Sequence, residues 1–246
     1  MESGGRWRLI EYSHKDPAFN LAIEEAMLRY HLEENGPCTI RLWMNPPSVI
    51  LGRFQGIDGN VNLKYCVDNG IKVLRRVSGG GAVYHDYGNL NYTLIIPNNL
   101  FNGFLKDVKA SYHFLCSGVI VALRSLGVKA VEVNGNITIN GKKISGSAQY
   151  RLYHSILHHG TLMIKVNINQ LGKALNIKNP KKYLTNLSEH LPYNVSLSEI
   201  SDAIVRAYES IFGTKFSLTK LSTWEVKEAV RLYKIKYSQT SWNIEG

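Results

Sequence analysis

The chain has 246 residues, and its 29 Lys and Arg against 19 Asp and Glu give a formal charge of +10 at pH 7. With 44% hydrophobic and 20% charged residues, the composition excludes disordered and collagen-like proteins and predicts a packed globular one. The three cysteines, Cys38, Cys66 and Cys116, lack the spacing of a disulfide framework or a zinc site, which favours a reduced, cytoplasmic protein.

Targeting and membrane signals are not expected from the sequence. Residues 1–9 contain no apolar core of the kind found in signal peptides. The longest apolar stretch, residues 118–123, ends at Arg124 and is far shorter than the roughly 20 residues of a membrane span. The positive charge is typical of a protein that binds nucleic acid, an anionic substrate or an acidic partner. Because the basic residues are dispersed, nucleic-acid binding is the least favoured of the three.

The first half of the chain predicts one helix followed by strands. Asp16 followed by Pro17 is typical of a helix N-terminus, and an apolar face continues from there to about Glu34. Strands are predicted over residues 39–44, 48–51, 72–77 and 90–96. The second half predicts a long helix over 106–126 that ends at Gly127, and strands over 128–133 and 136–140.

Asn140 and Gly141 separate two alternating segments, which is a strong hairpin signal. A strand over 155–166 and short helices over 170–175, 198–212 and 223–233 complete the pattern. We therefore predict an α/β fold of the α+β type, with a mixed, largely antiparallel sheet flanked by helices. It would form a single domain, with a core over about 1–168 and a helical C-terminal part over about 169–246.

The segment that runs from Arg75 to Asp86, RRVSGGGAVYHD, carries the most chemical information. Three consecutive glycines expose backbone N–H groups and allow close approach to a phosphate or carboxylate. The segment matches neither the GxxxxGK[ST] phosphate loop nor the GxGxxG dinucleotide motif. A glycine-rich bulge beside a surface strand is the alternative interpretation.

A second segment places Lys142 and Lys143 directly after the predicted hairpin turn, followed by small residues. Alternation along a strand sends the two side chains to opposite faces, so at most one can point into a site. An ammonium held against a phosphoryl or carbonyl oxygen stabilises the charge that develops in a transition state. The alternative is that both lysines are solvated surface charges.

Together, RRVSGGGAVYHDYGNLNYT and INGKKISGSAQ…LHHGTL resemble two blocks of the lipoate–protein ligase family. Tyr183-Leu184-Thr185-Asn186-Leu187 and the C-terminal Tyr237…Trp242-Asn243 resemble its tail. The resemblance implies the fold shared by biotin ligases and class II aminoacyl-tRNA synthetase cores. It also implies a two-step reaction in which lipoate and ATP form lipoyl-AMP and the lipoyl group then passes to a lysine of an acceptor domain.

The resemblance also implies which residues act. Lys143 would be catalytic and would touch both the α-phosphate and the lipoyl carbonyl. The strip that binds ATP and lipoyl-AMP would comprise Arg76, Ser78, Gly79, Gly80, Gly81, Ala82, Val83, Tyr84, His85 and Ala148. Trp43, Tyr84 and His159 would join Lys143 around lipoate, with the two aromatic residues as walls of an apolar pocket.

The implied cofactors are ATP and Mg²⁺, and Asp86 is a weak candidate metal ligand. The implied partners are apo lipoyl domains, either of the E2 type in 2-oxoacid dehydrogenases or of the H type in glycine cleavage. The chain is expected to lack the C-terminal accessory domain of longer members, so that either a separately encoded small accessory subunit supplies it or the protein works without it. Neither nucleic acid nor a membrane is expected as a partner. Where family members commonly have GRNDI, this chain has Asn134-Gly135-Asn136-Ile137, so an amide replaces an acidic residue at Asn136.

Two other functions remain open at this stage. An ATP-independent octanoyl or lipoyl transferase would need a thiolate carrier, and in the related transferases this cysteine follows the KxSG block. All three cysteines here precede Lys143, which favours the ligase. A non-catalytic basic binding module is the second alternative. His154, His158 and His159 do not form a convincing metal site, because 159 points away from the other two on a strand.

Overall fold

The computed structural model describes residues 7–245, and an eight-stranded sheet forms its centre. Residues 1–6, which include most of the N-terminal segment considered above, and Gly246 lie outside the described residues. The strands of the structure are β1 (Trp7–Glu11), β2 (Cys38–Trp43), β3 (Ser48–Leu51), β4 (Lys72–Arg75), β5 (Val83–His85), β6 (Asn89–Pro97), β7 (Val131–Val133), β8 (Asn136–Ile139), β9 (Lys142–Leu152), β10 (Ser155–Met163) and β11 (Ser217–Leu218).

The large sheet has the strand order β11-β1-β2-β6-β10-β9-β8-β7, and β4-β3-β5 form a second, small sheet. All pairs in the large sheet are antiparallel except β11–β1 and β1–β2. In the small sheet β3 pairs in parallel with β4 and antiparallel with β5. The expectation of a mixed, largely antiparallel sheet is confirmed.

The helices are α1 (Pro17–Glu33), α2 (Leu63–Asp68), α3 (Val108–Ser125), α4 (Ile168–Ala174), α5 (Leu197–Phe212) and α6 (Thr223–Leu232). Their starts follow from side-chain caps: the carboxylate of Asp16 accepts the N–H of Ala18, and Ser196 and Ser222 each form a capping box. Gly213, in the left-handed conformation, ends α5.

Helices cover both faces of the large sheet. On one face, α3 and α5 pack on the alternate β6 residues Leu90, Tyr92 and Leu94. On the other face, α1 lies against β6 and β10, and α6 packs on the outer side of α1. The small sheet, α2 and α4 share a further hydrophobic cluster at one end. Within residues 7–245, no helix is long and apolar enough to cross a membrane.

The predicted elements agree closely with the structure, with several additions. The predicted hairpin turn is confirmed, since Asn140 and Gly141 have φ angles of 50° and 76°. The sequence pattern gave no indication of α2 or of the short strands β1, β5 and β11. The C-terminal part is also not purely helical, because β11 extends the large sheet beside β1.

Candidate active site

Gly79, Gly80 and Gly81 form a loop, called the glycine loop below. A cavity of about 330 Å³ lies where this loop, β5, β9, β10 and the N-terminal half of α1 meet. Its buried end is formed by side chains that are almost entirely inaccessible, namely Leu21, Trp43, Ile50, His85 and Asn91. Its open end carries Gly80, Gly81, Asn136 and Lys143, which are partly or fully exposed. The cavity therefore runs from a polar, cationic mouth to a closed interior.

Lys143 projects into this cavity from β9, whereas Lys142 is exposed on the opposite face. The prediction that only one of the two lysines enters the site is confirmed. The backbone of Lys143 is held at both ends, because its N–H donates to the carbonyl of Tyr183 at 2.8 Å and its carbonyl accepts the N–H of Thr185 at 3.1 Å. Burial lowers the pKa of the Lys143 ammonium below its ordinary value, and the positive charge of Arg76 lowers that pKa further.

Arg76 is buried and uses its donors to shape the glycine loop. Its Nη2 donates to the carbonyls of Gly79 and Gly81 at 2.6 and 3.0 Å, its Nη1 to the carbonyl of Ile50 at 3.1 Å, and its Nε to the hydroxyl of Ser78 at 2.9 Å. Burial lowers the pKa of Arg76 to about 10, so the guanidinium stays charged at neutral pH. Arg76 therefore places a fixed positive charge at the cavity and fixes the path of the loop.

Arg75, the other arginine of the motif, points away from the cavity. Its Nε donates to the carbonyl of Trp242 at 3.0 Å, and Nε1 of Trp242 donates back to the carbonyl of Arg75 at 2.9 Å. The backbone N–H of Arg75 donates to the side-chain oxygen of Asn243 at 3.0 Å. The two adjacent arginines thus have separate tasks. One fixes the glycine loop, and the other fastens the C-terminal segment to β4.

The glycine loop passes so close to Gly52 that a Cβ on residue 52 would overlap the carbonyl of Gly80. Gly80 itself has a φ of 90°, a conformation that L residues rarely adopt. The side chains of Ala82, Val83 and Ala148 line the cavity beyond this point. Ser78 and Gly79 are predicted to bind ATP and lipoyl-AMP, but they do not line the cavity. The hydroxyl of Ser78 instead accepts a hydrogen bond from Nε of Arg76.

His159 lies at the centre of a buried hydrogen-bond network. Its Nε2 is 2.7 Å from the hydroxyl of Ser78 and its Nδ1 is 2.9 Å from Oε1 of Glu24. The same oxygen of Glu24 accepts the hydroxyl of Thr93 at 2.6 Å, and Thr93 accepts the indole N–H of Trp43 at 2.9 Å. The network connects the aromatic wall of the cavity to the residue that supports Arg76.

Two predicted residues do not take the positions expected of them. Tyr84 alternates with Val83 and His85 on β5, so its side chain faces away from the cavity and its hydroxyl donates to Gln170 at 2.9 Å. Tyr84 is therefore not a wall of the pocket. The two carboxylate oxygens of Asp86 accept the N–H groups of Gly88 and Asn167 at 2.8 and 3.0 Å, so Asp86 joins two loops rather than facing a metal.

No metal cage is built into the part of the chain described here, since no three His, Cys, Asp or Glu side chains converge within residues 7–245. His158 is buried on the opposite face of β10 from His159, with its Nδ1 3.2 Å from Gln149.

All three cysteines are buried as free thiols, and none is among the described residues that line the cavity. Burial raises the pKa of Cys38 to about 12 and that of Cys116 to about 11. Burial likewise raises the pKa of Cys66. A thiol in this state carries almost no thiolate at neutral pH, so it is a poor nucleophile.

Several residues of the site were not assigned a role from the sequence, among them Glu24, Gly52, Asn91 and Gly146. Glu24 had a usable signal, because it occupies the buried face of α1 three residues after Leu21 and four before Leu28, where a carboxylate requires a partner. Asn91 alternates with the apolar residues of β6 in the same way. Gly52 and Gly146 had none, because only the folded structure shows what approaches them.

The family model described as the lipoyl protein ligase A/B catalytic domain matches residues 16–209. The chain belongs to this family. Lipoate-protein ligase LplJ of Bacillus subtilis is 35% identical over 93% of this chain and 70% of the relative. Octanoyltransferase LipM of Anoxybacillus flavithermus is 26% identical over 97% of this chain and 98% of the relative.

Solved members of the lipoyl ligase family share the fold. The bi-partite lipoate protein ligase of Thermoplasma acidophilum, reported with its E2 lipoyl domain, superimposes with a TM-score of 0.88 at 26% identity, over 97% of this chain and 96% of that one. A lipoate-protein ligase A bound with ATP gives a TM-score of 0.86 at 28% identity, over 97% of this chain and 98% of that one. Biotin protein ligase of Leishmania major shares the fold alone, with a TM-score of 0.53 at 11% identity over 92% and 80%.

Proposed function

We propose that this chain is an ATP-dependent lipoate–protein ligase that forms lipoyl-AMP and then transfers the lipoyl group to a lysine of an apo lipoyl domain. The observation that carries the proposal is the pair of cations at the cavity. Neither Lys143 nor Arg76 forms an ion pair with a carboxylate among the described residues, although Arg76 is buried and Lys143 is only partly exposed. Buried unpaired cations are costly unless an anion joins them, and the phosphates of ATP and the carboxylate of lipoate are such anions.

The shape of the cavity would orient lipoate. Its closed end, with Leu21, Trp43 and Ile50, suits the apolar chain and ring of lipoate. The carboxylate then lies towards Lys143 at the open end. The ATP-bound relative supports ATP as the second substrate.

In the first step the lipoate carboxylate attacks the α-phosphate of ATP, and pyrophosphate leaves. Two anions must approach each other, so the ammonium of Lys143, the fixed charge of Arg76 and the N–H groups of the glycine loop neutralise them. Mg²⁺ carried by the ATP phosphates would add positive charge there. Position 136 is an amide and not an acidic residue, and the carboxylate of Asp86 already accepts two backbone N–H groups. Both observations fit a metal ion that is held mainly by phosphate.

In the second step the amine of the acceptor lysine attacks the lipoyl carbonyl of the mixed anhydride, the C–O bond to AMP breaks, and the amine loses a proton. Lys143 polarises the carbonyl, and AMP leaves readily. A thiol nucleophile is not required, which fits a cavity lining that includes no cysteine among the described residues.

The acceptor is proposed to be an apo lipoyl domain, of the 2-oxoacid dehydrogenase E2 type or the glycine cleavage H type. The Thermoplasma enzyme, reported as bi-partite and with an E2 lipoyl domain, supports this acceptor class and a separately encoded accessory subunit. The charge of +10 would steer an acidic acceptor towards the protein. We further propose that the chain acts as a single catalytic domain.

An ATP-independent octanoyl or lipoyl transferase is the second candidate, and the similarity to LipM over nearly the whole chain favours it. Such an enzyme carries the acyl group on a thiolate between two acceptors. Cys38, Cys66 and Cys116 are buried, and none is among the described residues that line the cavity, which argues against it.

Incubation with lipoate, α-labelled ATP and Mg²⁺ tests the proposal, and we expect labelled lipoyl-AMP. Addition of an apo lipoyl domain should then increase the acceptor's mass by one lipoyl group. Acyl transfer from an octanoylated donor domain without ATP would instead support the transferase. If no adenylate forms even with an accessory subunit present, the ligase proposal is wrong. Salt-sensitive binding of nucleic acid without any ATP-dependent reaction would then favour a non-catalytic basic module.

A further inference from the structure

The closed end of the cavity contains buried polar atoms that have no hydrogen-bond partner. They are Nε2 of His85 and both amide atoms of Asn91, and these side chains are only 4% and 1% exposed. Buried polar atoms without a partner are rare in folded proteins, and each calls for an explanation. Because both residues line the cavity, a bound ligand can supply an acceptor for their N–H groups.

Strand geometry confirms that Asn91 faces the cavity. On β6 it alternates with Leu90 and Tyr92, which point into the opposite core, and it lies on the same face as Thr93. Its cross-strand neighbours are Trp43 on β2 and Thr161 on β10, and both line the cavity. The amide therefore lies beside the aromatic wall where an apolar chain would end.

A chain of hydrogen bonds fixes which nitrogen of His85 carries the proton. The guanidinium of Arg41, which can only donate, binds Oδ1 of Asn20 at 2.6 Å, so Nδ2 of Asn20 donates to Oδ1 of Asn45 at 2.8 Å. Nδ2 of Asn45 must then be the donor to Nδ1 of His85 at 3.0 Å. Burial lowers the pKa of His85 to about 3, so the ring is neutral and its single N–H is at Nε2.

The cavity end thus presents two kinds of N–H donor, one from His85 and one from Asn91, next to an apolar wall. We propose that these donors contact the dithiolane sulfurs of lipoate and make the site prefer lipoate to octanoate. The inference rests on the proposed function, because it takes lipoate as the acid that enters with its ring at the closed end. His85 and Asn91 would therefore determine specificity.

The two acids have carbon chains of equal length, so the sulfur atoms are the relevant difference between them. Sulfur is a weak acceptor, but it gives the buried donors a partner, whereas the chain of octanoate leaves them unpaired. A site built to form hydrogen bonds rejects an analogue that lacks the matching group. For an acceptor as weak as sulfur we expect discrimination at the low end of the usual range, on the order of tenfold.

The test compares Kd values for lipoate and octanoate by calorimetry without ATP, and kcat/KM values by pyrophosphate release with ATP. In Asn91→Leu, which has a similar volume and no polar atoms, the preference for lipoate should fall about tenfold, because lipoate binds less tightly and octanoate binds more tightly. His85→Phe provides a second variant that keeps a flat ring. The matched control is Ser155→Ala, which removes a buried, unpartnered hydroxyl outside the cavity lining.

A reduced preference in either folded variant, with Ser155→Ala unchanged, supports the inference. An unchanged ratio or an equal loss for both acids in both variants, or no preference in the wild-type protein, overturns it. Selective binding of lipoate without formation of lipoyl-AMP would contradict the proposed ligase reaction but would leave this inference standing.

Discussion

The ammonium of Lys143 occupies the space in which a side chain at position 146 would have to stand. A Cβ on Gly146 would lie 2.7 Å from Nζ and 2.8 Å from Cε of Lys143, and 3.4 Å from the side-chain oxygen of Asn136. The glycine of the Lys-Ile-Ser-Gly block is therefore what lets the lysine lie across β9 and reach the cavity.

Substitution of Gly146 by Ala should displace the ammonium and leave the fold intact, because the crowded atoms are the flexible end of a side chain. Misplacement of a catalytic group by about 1 Å can cost about a hundredfold in rate, so we expect a loss of that order in kcat/KM for adenylation. Pyrophosphate release measures the rate, and a thermal unfolding curve measures the fold.

Gly56→Ala is the matched control, since a Cβ at residue 56 would meet nothing within 4 Å. It should leave both measurements unchanged. Equal activity in the Gly146→Ala and Gly56→Ala variants would show that the position of the Lys143 ammonium is not important for the reaction.

Removal of the Lys143 charge should abolish adenylation and stabilise the free protein. The pKa of Lys143 is lowered in the folded state, so between that pKa and the ordinary value of 10.5 the unfolded chain binds more protons. Stability therefore rises with pH through this window, and below it the charged lysine destabilises the fold. In Lys143→Met the Tm of the unliganded protein should increase by on the order of a degree at pH 7.

Lys142→Met is the control for this prediction, because Lys142 is exposed on the other face of β9. It should retain adenylation and show little change in Tm. A lower Tm in Lys143→Met would mean that Lys143 has a stabilising partner in the free protein. Retained adenylation would refute its catalytic role.

The sequence predicts the longer elements well because their signals are local. The capping side chain of Asp16, the left-handed residues Asn140 and Gly141, and the apolar periodicity of α3 each act within a few residues of the element they define. The strands β1 and β11 are different. β11 contains two residues, and it exists because Arg8 and Leu9 on β1 offer it an unpaired edge, which no local pattern can reveal.

The residues of the site divide in the same way, into those with a local sequence signal and those that depend on distant partners. The motifs located Arg76, the glycines and Lys143, since a run of glycines and a lysine pair are visible in the sequence. They did not show that Tyr84 turns away from the cavity towards Gln170, that Asp86 binds the N–H of Asn167, or that Arg75 holds Trp242. Each of these depends on a partner that is distant in sequence and is brought close only by the fold.

The cysteines distinguish the ligase from the transferase. Because burial raises the pKa of Cys38 and Cys116 and neither is among the described residues that line the cavity, they should not carry an acyl group. Cys38→Ala, Cys66→Ala and Cys116→Ala should each retain ATP-dependent lipoylation, as measured by the mass of the acceptor domain. A folded variant that lost acyl transfer would indicate a thioester intermediate and favour the transferase.

Glu24 gives the fold a dependence on acid pH. Burial alone would raise its pKa, but the charge of His159 and hydrogen bonds from His159 and Thr93 lower the pKa below its ordinary value of 4.5. A carboxylate with a lowered folded-state pKa contributes stability above pH 4.5, and that contribution is lost as the pH falls through the lowered pKa.

Glu24→Gln removes this charge, and Oε1 of the new amide can still accept from both partners. We expect a loss of about 2 kcal/mol in the free energy of unfolding at pH 7, as is usual for hydrogen bonds to a charged group. The difference between variant and wild type should shrink as the pH falls below 4.5, as measured by urea unfolding at several pH values. Glu33→Gln, at the exposed end of α1, should change stability little at any pH. A difference for Glu24→Gln that stayed constant with pH would show that the amide disturbs packing and that the charge of Glu24 is unimportant.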